Sequence, residues 1–83
     1  MAGKPPEPIT VVWPAAEHAP RAFVWRGRRW RVDRVVQRWS VDTGWWSQRL
    51  RVDRRYLRVM AGGRLFDLCF DRLQRRWYLA RAL

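Results

Sequence analysis

Gly62-Gly63 separates two runs in which apolar residues fall at every second position: Leu57, Val59 and Ala61 before it, Phe66, Leu68 and Phe70 after it. A two-glycine link between such runs is a strong hairpin signal, because tight turns need positive φ. It also sets a register. Pairing Ala61 with Arg64 places Val59 opposite Phe66 and Leu57 opposite Leu68, with Arg58 facing Asp67 on the other side. Carried into the last apolar run, the same register sets Leu68 against Leu79 and Phe70 against Trp77.

The rest of the chain reads in the same period. Ile9–Trp13 is a short β-branched run, and Phe23-Val24-Trp25 alternates before a turn at Arg26-Gly27. Arg28–Val41 is a long alternating strand, and Asp42-Thr43-Gly44 is a turn signal. Trp45–Ala61 returns, with a break near Ser47-Gln48. Leu65–Phe70 and Trp77–Leu83 complete the set. Met1–Pro8 is proline-rich and polar and is expected to be a disordered tail, followed by one β domain over residues 9–83. No stretch keeps a helical period over three turns. The expected fold is all-β: a small, strongly bent antiparallel barrel of five to six strands, SH3-like or similar.

The hexamers Arg29–Arg34 and Arg49–Arg54 differ at one position. Within each, apolar residues alternate with arginine, and after each Asp-Arg the phase changes. A one-residue phase change flips every later side chain unless the strand is bulged. Bulges are therefore expected at Asp33-Arg34 and at Arg54-Arg55, and bends of this kind curl a sheet into a barrel. The expected core is Phe23, Trp25, Trp30, Val32, Leu57, Val59, Phe66, Leu68, Phe70, Trp77 and Leu79. Tyr56, Met60, Leu65, Cys69 and Tyr78 share the opposite face. A sheet apolar on both sides needs cover, and Ile9–Trp13 is the expected cover. A partner or a second copy is the alternative.

Eighteen basic and seven acidic residues give a net charge of +11 over 83 residues. Such an excess attracts phosphate-rich or acidic partners. Arginines and tryptophans interleave: Arg26, Arg28, Arg29, Arg31 and Arg38 lie among Trp25, Trp30 and Trp39, and Arg49, Arg51, Arg55 and Arg58 follow Trp45-Trp46. Single-stranded nucleic acid is held by such a combination, with arginine on phosphate and rings on bases. Those arginines, with Trp45 and Trp46, are the candidate contacts for nucleic acid, single-stranded or duplex, bound without sequence specificity. The same residue types are interface hot spots, so a protein-docking or homodimerising module is the alternative.

Catalytic chemistry finds little support. His18, the one histidine, stands in a Pro/Ala loop without an evident carboxylate, and Cys69 lies inside an apolar strand, where cysteine behaves as a small hydrophobe. No Cys/His spacing suits zinc. A tight hairpin at Asp42-Thr43-Gly44 brings Asp33 opposite Asp53, but surrounding arginines make ion pairs there rather than a metal site. No cofactor is expected. A single cysteine, no signal peptide and no long apolar run point to a cytoplasmic protein without a membrane span.

The pattern Phe23-x-Trp25-Arg26-Gly27-Arg28, Arg31-Val32, Gly44-Trp45-Trp46, Arg54-x-Tyr56-x-Arg58-Val59, Asp71 and Trp77 resembles a bacterial family of unknown function. Its members are short stand-alone proteins, and similar segments end ImuB-type proteins, the Y-family polymerase relatives of mutagenic repair. The resemblance spans roughly Pro20 to Leu83, with departures at Arg55, where the family often has Asp, and at Leu57, where it often has an aromatic residue. It implies an accessory module near repair or translesion polymerases, touching DNA or docking to a polymerase-associated protein as monomer or homodimer, and it implies no reaction.

Overall fold

The computed structural model describes residues 6–43 and 51–83. Seven strands lie among them: β1 (Glu7–Pro8), β2 (Thr10–Val12), β3 (Ala22–Trp25), β4 (Arg28–Asp42), β5 (Asp53–Ala61), β6 (Arg64–Asp71) and β7 (Arg76–Ala82). All pairings are antiparallel, in the order β1-β7-β6-β5-β4-β3-β2. The strands at the two ends of this order are neighbours in sequence, separated by Ile9 alone. One bent segment therefore joins both sheet edges and closes the barrel, with the Ile9 N–H donating to the Trp77 carbonyl at 3.1 Å. No described helix is long and apolar enough to cross a membrane.

The Gly-Gly register holds. Ala61 pairs with Arg64, Val59 with Phe66, Leu57 with Leu68 and Arg58 with Asp67. Leu68 pairs with Leu79 and Phe70 with Trp77. Gly62 and Gly63 have φ of 57° and 76°, the left-handed region that a two-residue turn demands. Phe23, Trp30, Leu57, Val59, Ala61, Phe66, Leu68 and Leu79 form the buried core, with Trp25, Val32, Val35, Ile9, Val11 and Trp77 packed against it. Phe66 is its hub, with ring centroids 4.8 Å from Trp30 and 5.1 Å from Phe23.

Four expectations need correction. Glu7 and Pro8, assigned to a disordered tail, form β1: Glu7 pairs with Leu79 and Pro8 with Tyr78. Proline is tolerable there because an edge strand has no second neighbour to hydrogen-bond. Second, the Ile9–Trp13 segment does not cover the Tyr56/Cys69 face. Ile9 and Val11 pack on the core instead, and Trp13 lies against Trp77 at 6.1 Å. Third, a bulge occurs at Asp33, between the Val32–Ala61 and Arg34–Met60 pairs, but none occurs at Arg54-Arg55. Because β5 starts at Asp53, the phase change after the second hexamer falls at a strand entrance and needs no bulge. Fourth, Asp53 pairs with Asp42, not with Asp33, and its carboxylate lies 3.8 Å from Arg72. The expected strand from Trp45 is confined to Asp53–Ala61 within the described residues.

Two further bulges decide where side chains point. The Val36 bulge, between Val35–Val59 and Gln37–Arg58, reverses the facing of everything beyond it. Arg38 now pairs with core residue Leu57, and Trp39 pairs with Tyr56 on the outside. Ala80 is the extra residue in β7, between Leu79–Leu68 and Arg81–Asp67.

Candidate nucleic-acid interface

The arginines divide by what they touch. Arg26 donates to the Glu7 carboxylate at 2.5 and 3.0 Å, and the Trp25 indole donates to the same carboxylate at 2.7 Å. Arg58 makes a two-pronged pair with Asp67 at 2.7 and 3.0 Å. Arg28 lies 4.1 Å over the Trp30 ring and lids the core. Charge-assisted bonds and ring contacts of this kind tie strands together. These three expected contacts therefore have structural partners already.

Arg38 and Arg55 are placed differently. Ser40, Arg55, Phe70 and Trp77 form one cross-strand row over β4, β5, β6 and β7. Alternation puts this row on the core side, next to the Arg38, Leu57, Leu68 and Leu79 row. Beyond the packed interior it opens into a cleft of about 380 Å³, lined by Trp13, Phe70 and Trp77 together with Arg38, Ser40 and Arg55. Phe70 and Trp77 lie 5.1 Å apart. Trp13, 37% exposed, closes the far side, and its indole donates to the Glu17 carbonyl at 2.9 Å. Arg38 is steadied by the His18 carbonyl at 2.9 Å. No ion pair among the described residues engages Arg38 or Arg55. The cleft thus combines half-buried rings with two exposed guanidiniums.

Arg29 and Arg31 are exposed on the outer face of β4, opposite Val24 and Ala22. Arg51 is exposed just before β5. Trp45, Trp46 and Arg49 lie outside the described residues. Sequence reasoning named Arg38 and Arg55 but missed the rings beside them. Phe70 and Trp77 were expected in the core, and Trp13 in a cover strand. A signal was present: the Gly-Gly register, carried back to Arg55, sets an arginine opposite Phe70 on the core side.

The outer face carries a second aromatic row, Trp39, Tyr56, Cys69 and Tyr78, across four strands. Trp39 and Tyr56 stack nearly parallel, at 5.2 Å and 3°. Burial pushes the Cys69 thiol and the Tyr56 phenol above their usual ranges. The hydrogen bond to Tyr56 holds the Arg54 guanidinium more firmly charged. Both acids therefore stay neutral, the opposite of an activated nucleophile. Among the described residues no group of three or more His, Cys, Asp or Glu is placed to hold a metal ion.

Fold and surface together define a small, nearly closed, arginine-rich β-barrel with an aromatic cleft at one end. The chain belongs to the family described as a domain of unknown function, DUF6504, whose model matches residues 4–83. No curated protein and no solved structure matches it.

Proposed function

We propose that the protein is a non-catalytic nucleic-acid-binding module that takes single-stranded DNA or RNA through the Trp13/Phe70/Trp77 cleft. The observation that carries this reading is the cleft's pairing of half-buried rings with Arg38 and Arg55, which no described carboxylate neutralises. Bases stack on such rings without sequence preference, and guanidiniums at the rim take the phosphates. The net charge of +11 draws a polyanion in from a distance. The resemblance to the terminal segment of ImuB-type polymerase relatives supports reading the module as an accessory of a repair or translesion assembly.

Fluorescence anisotropy with labelled single-stranded and duplex oligonucleotides, at two salt concentrations, tests the reading. Single strands are expected to bind more tightly than duplex, and to weaken steeply with salt. Trp13→Ala is expected to remove about 1–3 kcal/mol, the worth of one stacked base. Absence of binding by the wild type at low salt rejects the proposal.

The outer row supports a second reading, a protein-docking face. Half-buried Trp39, Tyr56 and Tyr78 form a strip with Cys69, and the Arg58–Asp67 pair separates it from Met60 and Leu65. Molar mass by light scattering distinguishes a homodimer, and capture by a polymerase-associated protein that Tyr78→Ser abolishes distinguishes a heterologous partner, since Tyr78 does not line the cleft.

A further inference from the structure

We propose that Arg21, Arg29 and Arg31 form a phosphate seat on the outside of the barrel, which takes phosphodiesters of the same strand whose base occupies the cleft. The inference rests on the nucleic-acid reading of the cleft and extends it to a second contact.

The three arginines and Ala22 line one hollow of about 440 Å³. Antiparallel pairing sets Arg31 against Ala22 and Arg29 against Val24, so both arginines stand on one face. Ala22 is 1% exposed, and its small side chain leaves a floor over which the longer stems spread. Glu17 pairs with Arg21. No ion pair among the described residues engages Arg29 or Arg31. Guanidiniums gathered this closely repel one another, and an oxyanion between them relieves the repulsion while accepting planar, forked hydrogen bonds.

Position argues for a polymer rather than a lone phosphate. The Arg21 N–H donates to the Val12 carbonyl at 2.8 Å, closing the neck of the loop that begins at Trp13. Trp13 in the cleft and Arg21 in the seat therefore stand on either side of that neck. Glu17 serves both: its carbonyl accepts from the Trp13 indole and its carboxylate holds Arg21. A strand leaving the cleft past Trp13 meets the seat next, and its phosphates supply the anions that Arg29 and Arg31 lack.

Oligothymidylates of three and twelve nucleotides, bound to the wild type and to the double variant R29A/R31A across a salt series, test the proposal. Both side chains are exposed, so the variant is expected to fold. The longer oligonucleotide should bind the variant more weakly, with the slope of log affinity against log salt reduced by about 1.4, from two phosphates at about 0.7 each. The trinucleotide, held by the cleft, should bind both proteins alike. The control R76A/R81A removes equal charge from β7 and should leave the difference between lengths as in the wild type. If R29A/R31A keeps the wild-type affinity and slope for the long strand, or loses both lengths equally, or if the control reproduces its effect, the seat is wrong while the cleft stands. If the wild type binds neither oligonucleotide, the cleft reading fails and the seat falls with it.

Discussion

Gly62 and Gly63 share a turn and a backbone region but not the same surroundings. A Cβ on Gly62 would lie 2.9 Å from Cζ3 of the buried Trp30 ring, whereas one on Gly63 would meet nothing within 4 Å. Gly63→Ala should therefore cost only the left-handed penalty, about 1–2 kcal/mol. Gly62→Ala adds a clash with a core ring, roughly 1–3 kcal/mol more. Denaturant melts of the two variants check the order, and equal losses contradict the ring contact. At Cys69 the sign of the pH effect can be worked out. Burial raises the thiol's folded pKa, so its share of stability is fully present below about pH 8.5, the unfolded value. It is lost as pH rises towards the folded pKa. Unfolding free energy should fall above about pH 8.5 in the wild type and fall less in Cys69→Ala. A thiol reagent at pH 8 should label the native protein far more slowly than the unfolded chain. Rapid native labelling contradicts this placement.

Among the strands, β1 does the most with the least. It has two residues, yet it closes the barrel, and the Glu7 carboxylate fastens it to Trp25 and Arg26. Glu7→Ala should release that end first. The Ile9 amide, bonded to Trp77, should exchange with solvent about fivefold faster, corresponding to the loss of one ordinary hydrogen bond of roughly 1 kcal/mol. Core amides such as that of Val59 should change less. Unchanged exchange at Ile9 shows that β1 is held by something else. This strand was not legible in the sequence, because Glu-Pro has little strand propensity and its conformation is imposed by β7. The β5–β6–β7 register was legible, since Gly62-Gly63 and strict alternation leave one pairing that buries Val59, Phe66 and Leu68 together. The Asp33 bulge announced itself as a phase break between Val32 and Val35. The Val36 bulge did not, because Val35 and Val36 are both apolar and either facing satisfies the pattern. That ambiguity concealed the outward turn of Trp39 and the cleft-side facing of Arg38.

For the whole molecule, the distribution of acids matters more than the total charge. Glu7, Glu17, Asp53, Asp67 and Asp71 each pair with an arginine. The acids therefore serve as fasteners, and the surplus positive charge is left to residues such as Arg29, Arg31, Arg38 and Arg55. The sequence showed that surplus and two of the cleft arginines, but it did not show how the charges divide, because cross-barrel pairs such as Glu7–Arg26 appear only once the strands are arranged. Closure through Ile9 has one more effect. Pro6 and the last strand border a common hollow, so the chain's two described ends lie side by side. A short linker from Leu83 to Pro6, with new termini cut at Gly62-Gly63, would give a circular permutant in which every strand keeps its neighbours. It would leave the cleft at the opposite end of β5 and β6 free for a fused reporter at the old hairpin.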